Sequence, residues 1–185
     1  IGITAVLRPE KNHELLLRAF ARIRAAHPQA ELWVLGDGPR RPFLVAEAGR
    51  LGLSCGDGPG QAVRLLGHRP DARALIPGFD VVSLASHPRV ETLPLSLIEA
   101  MDEALPVVAT RVGALAEMVE EGESGYLVEP GDEAGLAEAF ARLLAAPELR
   151  RRLGERGQAI AAERYSVERM VAGTEALLLE LLRRT

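Results

Sequence analysis

The sequence ETLPLSLIEAM occupies residues 91–101, and the apolar run LPVVAT follows it at residues 105–110. Most side chains from Leu95 to Ala104 are apolar or small, which predicts a helix buried on most sides, and the run behind it predicts a buried strand. Thr92 is expected to cap this helix, and Pro94 suits its first turn, where the absent N–H costs nothing. A buried helix that leads into a buried strand is typical of an α/β protein.

Two carboxylates lie at the predicted helix start, Glu91 just before it and Glu99 about one turn inside it. Burying a carboxylate is costly unless it has partners, and the free N–H groups of a helix start favour phosphate. The pair therefore indicates a ligand site. A glutamate near a helix start also complements the helix dipole, and glutamates on helices are usually solvated, so this second interpretation stays open.

Length and composition fit one domain, residues 1–185, with a sizeable core. The chain is 48% hydrophobic and 26% charged, and its net charge of −4 argues against nucleic acid as a partner. The single cysteine, Cys55, excludes an internal disulfide and fits a reducing, cytoplasmic compartment. No apolar run approaches about 18 residues, so no membrane span is expected. Because the sequence begins at Ile1 without a signal-peptide pattern, we expect a piece of a longer chain.

Strand and helix patterns alternate along the whole chain. The predicted strands are 1–7, 31–35, 62–66, 79–84, 106–110 and 125–128. The predicted helices are 13–26, 40–53, one ending near 76, one that follows Thr92 and ends near 104, 113–120, one ending near 145, 149–163 and 166–184. The glycine-rich residues 54–61 and residues 86–91 are expected to be loops. This alternation predicts an α/β fold, a Rossmann-like three-layer α/β/α arrangement with a mostly parallel sheet of about six strands.

The loops after the first four predicted strands carry polar or glycine residues: Lys11, Gly36, His68 and Glu91. In a parallel sheet the carboxyl ends of the strands meet at one edge, and ligands bind beyond that edge. The topology therefore predicts that these four positions surround one site. Solvated loop residues remain the alternative interpretation for Lys11 and His68.

Other motifs give weaker signals. Gly36-Asp37-Gly38 is half of a dinucleotide fingerprint, but Arg41 stands where the third glycine would be. Residues 56–60 lack the lysine and hydroxyl of a phosphate-binding loop. The four histidines show no metal-ligand spacing, and no Asp-x-Asp pair is present, so no metal is expected.

At the loop and helix-start residues described above, the chain resembles the C-terminal half of a family-4 retaining glycosyltransferase of the GT-B fold. The resemblance extends over essentially the whole length of the chain. Two glutamates with seven residues between them, Glu91 and Glu99, match the family's signature. The other matching segments, in chain order, are Arg8–Asn12, Val34–Pro39, Leu105–Thr110, Gly113 and Gly125–Val128.

The resemblance implies a donor-binding lobe for a nucleotide-diphospho-sugar such as a UDP-, GDP- or ADP-sugar, with no cofactor and no metal. Lys11 would neutralise the diphosphate, and Glu91 would hold the sugar near its reacting carbon. Glu99 would accept hydrogen bonds from the ribose. The remaining donor contacts that the resemblance implies are Arg8, Gly36, Gly38, His68, Arg69, Thr92, Leu93 and Leu95.

Three positions depart from the family pattern. Val6 stands where an arginine is common, Asp102 where a small residue is usual, and Ala104 where a glycine is usual. Like charges on Asp102 and Glu99 would resist joint ionisation. These departures bear on donor affinity rather than on the fold.

The family takes its acceptor site from an N-terminal lobe that this sequence does not contain, so this chain is expected to bind a donor and transfer nothing. The leucine-rich helix at 166–184 is expected to pack on that lobe and, in the isolated chain, to expose an apolar patch that drives dimerisation. Two other functions remain open: a non-catalytic sugar-nucleotide-binding module and a nucleotide-sugar epimerase of GT-B fold.

Overall fold

A twisted parallel sheet forms the centre of the molecule in the computed structural model, which describes residues 1–88 and 91–184. Its strands are β1 (Gly2–Thr4), β2 (Leu32–Leu35), β3 (Cys55–Gly56), β4 (Val63–Gly67), β5 (Val82–Leu84), β6 (Val107–Thr110) and β7 (Gly125–Val128). They lie in the order β3-β4-β2-β1-β5-β6-β7, and every pair is parallel. The predicted α/β class is confirmed.

The strand count was predicted slightly too low, because seven strands are present rather than about six. The additional strand, β3, lies inside residues 54–61, which were expected to be an exposed loop. Ser54 holds this segment against β4, because its carbonyl oxygen accepts a bond from the Val63 N–H at 2.9 Å and its hydroxyl oxygen accepts one from the Ala62 N–H at 2.9 Å. A two-residue strand carries too little periodicity to be predicted from sequence.

The described part of the chain contains eight α-helices. They are α1 (His13–Arg24), α2 (Arg41–Arg50), α3 (Ala72–Leu75), α4 (Leu95–Asp102), α5 (Leu115–Met118), α6 (Glu133–Ala145), α7 (Pro147–Arg164) and α8 (Val167–Arg184). Short 3₁₀ helices lie at Pro9–Lys11 and Ile76–Gly78. Within the predicted loop at 86–91, Arg89 and Val90 lie outside the described residues.

The core lies on both faces of the sheet, as expected for parallel strands. Helix α1 buries Leu16, Phe20 and Ile23 at helical spacing, and it packs against α6. On the other side α4 packs against α7, and the two helices approach so closely that a Cβ on Gly154 would lie 1.8 Å from the carbonyl oxygen of Ala104. Only a glycine permits this contact.

Helix α4 differs from its prediction at the start. Thr92 does not cap it, because the helix begins at Leu95 and the extended Pro94 is its N-cap residue. The physical reason is that a proline disfavours helical backbone in the residue before it, so the helix cannot begin at Leu93. The helix is also less buried than predicted: Leu95 is 70% exposed and Glu99 is half-buried.

The end of α4 is a tight reverse turn at Ala104, which has a φ of +54°. The Ala104 N–H bonds to the Met101 carbonyl at 3.0 Å, and the Leu105 N–H bonds to the Ala100 carbonyl at 3.0 Å. This is the pattern of a helix end that normally uses glycine, because a Cβ disfavours the left-handed region. The departure noted at Ala104 therefore falls on a strained position.

Helix α8 has no buried residues, and its apolar side chains include Met170, Val171 and Leu178, all more than half exposed. Within residues 1–88 and 91–184, none of the helices combines the length and the apolar character needed to cross a membrane.

The strand order places a topological switch point beside β1. From β1 the chain first builds β2, β3 and β4 on one side, and it then crosses to build β5, β6 and β7 on the other. The loops after β1 and β5 therefore lead to opposite halves of the sheet from its carboxyl edge, and the region where they meet is called the switch-point crevice below. Such a crevice is where doubly wound α/β proteins bind their ligands.

Candidate functional site

An ion pair crosses the crevice at the switch point. Lys11, at the end of the 3₁₀ helix after β1, donates from its ammonium group to Oε1 of Glu91, which follows β5. The Glu91 side chain is only 5% exposed, whereas that of Lys11 is 23% exposed. A carboxylate buried this deeply requires partners, and Lys11 supplies a charged one.

A second donor reaches the same carboxylate oxygen. The hydroxyl of Ser86, which is fully buried, donates to Oε1 of Glu91 at 2.5 Å. The carbonyl oxygen of Ser86 accepts a bond from the hydroxyl of Thr110, at the end of β6, at 2.7 Å. Three neighbouring strand ends therefore contribute to holding one carboxylate.

The loops on the two sides of the crevice are joined by backbone bonds as well. The N–H of His87 donates to the carbonyl oxygen of Glu10 at 2.9 Å, which ties the loop after β5 to the segment that carries Lys11. Asn12, next along the chain, is buried and adopts a left-handed φ of 48°, which turns the chain from the 3₁₀ helix into α1. Lys11 is thus placed by a fixed turn rather than by a free loop.

The turn after β6 supports the main chain of Glu91. Gly113 has a φ of +53°, and a Cβ there would lie 1.9 Å from the carbonyl oxygen of Glu91. The next residue, Ala114, donates its N–H to the carbonyl oxygen of Thr92 at 3.2 Å. Glycine is required at position 113 both by the backbone angle and by this close approach.

The Gly36–Pro39 turn after β2 lies against the loop after β1. The Leu7 N–H donates to the Asp37 carbonyl at 3.0 Å, and a Cβ on Gly36 would lie 2.0 Å from the carbonyl oxygen of Ala5. A Cβ on Gly38 would lie 2.6 Å from the carbonyl oxygen of Leu7. These two glycines allow the two loops to join, and Gly36 also reaches the pocket described next.

A pocket of about 320 Å³ opens at the carboxyl ends of β1, β2 and β4. Gly36, His68 and Arg69 line it together with Val6, so three of the predicted contact residues do come together. The Arg69 guanidinium is bonded to both oxygens of Asp71, at 2.7 and 2.6 Å. Its charge is therefore already partnered at the pocket rim, where the side chain is partly exposed.

The remaining predicted contact residues lie at the surface. Arg8, Thr92, Leu93 and Leu95 are exposed, and no side chain within residues 1–88 and 91–184 caps the amides at the start of α4. Among the described residues, no hydrogen bond or ion pair is found for the Glu99 carboxylate. These exposed groups are accessible to a ligand in the crevice.

The charge on Asp102 has its own partner. Asp102 lies one turn beyond Glu99, and its Oδ2 accepts from the Arg73 guanidinium of α3 at 3.0 Å. The predicted repulsion between the two acidic groups is therefore offset by a cation from a neighbouring helix, although all three side chains are partly exposed.

His13, the first residue of α1, is buried directly after the Lys11 segment. It is 2% exposed, and both ring nitrogens are buried without a hydrogen-bond partner among the described residues. The pKa of His13 is lowered from 6.5 to about 4, mainly by burial; Glu14 opposes this shift and Lys11 contributes to it. Separately, no group of three histidine, cysteine or acidic side chains within residues 1–88 and 91–184 is arranged to hold a metal ion.

Sequence reasoning missed Ser86, Thr110 and His13. Ser86 and Thr110 are small hydroxyl residues beside predicted strand ends, and this position was the only indication of a functional role. Serine and threonine are common at strand ends and in loops, so the indication was too weak to use. His13 was noted only for its lack of metal spacing. Its burial depends on the packing of α1, which the sequence does not state.

Comparison with known proteins places the chain in a family. The family described as glycosyl transferases group 1 matches residues 1–146. N-acetyl-alpha-D-glucosaminyl L-malate synthase of Bacillus anthracis is 31% identical over 176 residues, which cover 95% of this chain and 44% of that protein. D-inositol 3-phosphate glycosyltransferase of Corynebacterium urealyticum is 35% identical over 192 residues, which cover 99% of this chain and 42% of that protein. The chain thus spans less than half the length of these relatives.

Solved structures of similar proteins agree. HepE of Anabaena in complex with UDP matches with a TM-score of 0.83 at 28% identity, covering 100% of this chain and 48% of that chain. The C-terminal domain of a glycosyl transferase group 1 protein, LpcC of Francisella tularensis, matches with a TM-score of 0.77 at 25% identity, covering 90% of this chain and 86% of that domain. The resemblance seen in the sequence is confirmed: this chain belongs to the group 1 family of glycosyl transferases.

Proposed function

We propose that this chain is the donor-binding half of a retaining glycosyltransferase, which moves a sugar from a nucleotide-diphospho-sugar to an acceptor. The observation that carries the proposal is the Lys11–Glu91 pair across the switch-point crevice, beside the pocket lined by Gly36 and His68. The similarity to HepE supports it, because HepE has been solved in complex with UDP and with UDP-glucose.

The proposed roles follow from charge and position. The diphosphate of the donor competes with Glu91 for the Lys11 ammonium, which stabilises the leaving group without requiring a metal ion. The amides at the start of α4 add to that stabilisation. Glu91 then faces the sugar, where a nearby carboxylate stabilises an oxocarbenium-like transition state. Glu99 binds the ribose, and the base occupies the pocket at His68.

The proposal extends to the longer protein that the relatives' lengths suggest. A second lobe supplies the acceptor site, and the apolar face of α8 packs against it. The chain alone binds a donor and transfers nothing. We place the protein in the cytoplasm, which agrees with the free thiol of Cys55.

Calorimetric titration of this chain with UDP, GDP and ADP tests the proposal. We expect one diphosphate to bind, and we expect Lys11→Ala and Glu99→Ala to weaken it by about ten-fold or more. Glu91→Ala should weaken it less, because Glu91 faces the sugar rather than the diphosphate. Arg151→Ala is the control, since the described partners of Arg151 are Glu148 and Glu155, both on α7. An equal loss in the control would contradict the site.

Assays of the longer protein separate transfer from the two alternative functions. Transfer of sugar to an acceptor supports the proposal. Interconversion of a free nucleotide sugar without acceptor would indicate an epimerase, and binding without either reaction would indicate a non-catalytic module.

A further inference from the structure

The two oxygens of the Glu91 carboxylate are not equivalent. Oε1 accepts from the Lys11 ammonium and from the Ser86 hydroxyl, the latter at 2.5 Å. Among the described residues, no group donates to Oε2. Both bonds that the described groups donate are therefore made to the same oxygen of the pair.

Ser86 is itself held rigidly. It is fully buried two residues beyond β5, and the Thr110 hydroxyl, also fully buried, donates to its carbonyl oxygen at 2.7 Å. Hydrogen bonds in such surroundings are strengthened by the low local dielectric. The position of the Ser86 hydroxyl is thus set by the ends of β5 and β6 rather than by a mobile loop.

Lys11 and Ser86 differ in what they do when a donor binds. A diphosphate attracts the exposed side of the Lys11 ammonium, which then shares its three N–H donors between the diphosphate and Glu91. Ser86 is fully buried, so its hydroxyl cannot bond the donor directly and Oε1 of Glu91 is the partner that it keeps. Ser86 is therefore the partner that still fixes the carboxylate once the donor is in place.

We propose that Ser86 is a positioning residue: its hydroxyl fixes Oε1 of Glu91 and so directs Oε2 at the donor sugar. The inference rests on the proposed function, in which Glu91 faces the sugar. It predicts that Ser86 contributes to the preference for a nucleotide sugar over the bare nucleoside diphosphate and contributes little to binding of the diphosphate itself.

The test compares UDP with UDP-glucose by calorimetry on this chain, and likewise GDP and ADP with their glucose conjugates. Ser86→Ala should lower the ratio of sugar-conjugate to diphosphate affinity by about ten-fold while leaving the diphosphate affinity within about two-fold. Ser83→Ala is the matched control, because Ser83 is a buried serine on β5 whose hydroxyl donates to the Val108 carbonyl at 2.9 Å. An equal fall in that ratio in Ser83→Ala, or equal losses for both ligands in Ser86→Ala, would overturn the inference.

A coupling measurement excludes a merely structural role. In a Glu91→Ala background, Ser86→Ala should change the ratio no further, because Ser86 acts only through that carboxylate. Ser86→Thr retains the hydroxyl and should restore most of the preference lost in Ser86→Ala. A further fall in the double variant would refute the assignment.

A ligand-free measurement keeps this inference separate from the proposed function. A buried hydroxyl that donates to a carboxylate gives a slowly exchanging downfield proton signal in nuclear magnetic resonance. That signal should disappear in Ser86→Ala and in Glu91→Ala and persist in Ser83→Ala. Its persistence in Glu91→Ala would overturn the inference at the Ser86–Glu91 bond itself. Failure of all three diphosphates to bind would instead overturn the proposed function, and the inference with it, while leaving that bond confirmed.

Discussion

Replacing His13 by leucine should flatten the dependence of stability on pH. His13 is buried with both ring nitrogens unpaired in the described structure, and burial lowers its pKa from 6.5 to about 4. Of the charged groups that act on it, Glu14 opposes this shift and Lys11 adds to it, but both effects are smaller than that of burial. Protonation of His13 therefore favours the unfolded chain.

The sign and size of the effect follow from proton linkage. The unfolded chain binds the proton below pH 6.5, but the folded protein binds it only near pH 4, so stability is lost as the pH falls through this window. The full shift corresponds to about 3 kcal/mol, of which about 2.5 kcal/mol is lost between about pH 7.5 and about pH 4.5.

Urea unfolding of both proteins at these two pH values measures the difference. From about pH 7.5 to about pH 4.5, the free energy of unfolding should fall by about 2.5 kcal/mol less in His13→Leu than in the wild type. The carboxylates that titrate at low pH are common to both proteins, so their contribution cancels in this comparison. His87→Gln, which removes an exposed imidazole, serves as the control and should follow the wild type. Equal pH dependence in the wild type and His13→Leu would refute the reasoning.

The remaining predictions concern α4, the turn beside Glu91, and α8. Ala104→Gly should raise the free energy of unfolding by about 1 kcal/mol in urea, because Ala104 adopts a φ of +54°; an unchanged midpoint would contradict this. Gly113→Ala should lower the thermal midpoint and weaken nucleotide-sugar binding, since its Cβ would lie 1.9 Å from the Glu91 carbonyl oxygen. Gly122→Ala, at φ +74° in open space, should cost only about 1 kcal/mol and leave binding intact, and equal losses in both would argue against the contact. In sedimentation, the isolated chain should form dimers through α8 that Leu178→Glu dissociates; a wild-type monomer at every concentration would exclude this contact.

The strands and their parallel arrangement were predictable because buried parallel strands form apolar runs separated by helical patterns. Their ends were not, since β1 covers only Gly2–Thr4 of the predicted 1–7. The run continues past Thr4 as an apolar loop, with Val6 exposed at the pocket, and hydrophobicity alone does not distinguish strand from loop there.

The sequence was sufficient to predict which loops meet at the site, but not which side-chain atoms contact each other there. Topology alone indicated that Lys11 and Glu91, 80 positions apart, lie at one edge, and the structure brings them into contact. The sequence could not indicate that Ser86 shares the same oxygen, because that depends on side-chain directions. The burial predicted for Glu99 was too high, since the outer face of α4 is open at Leu95.

The two walls of the crevice are made of different parts of the chain, which constrains how such a site can diverge. On the β2 side the wall is main chain: Gly36 and Gly38 leave no room for a side chain against the β1 loop. On the β5 side the wall includes a side chain, the carboxylate of Glu91, and the buried Ser86 holds it from behind. Replacing Gly36 or Gly38 on the first wall would destabilise the folded protein itself, whether or not a ligand is bound. Exchange of the Glu91 side chain changes a group that faces the donor and places no new atom against the main chain of the β1 loop. New donor preferences are therefore expected to arise on this second wall.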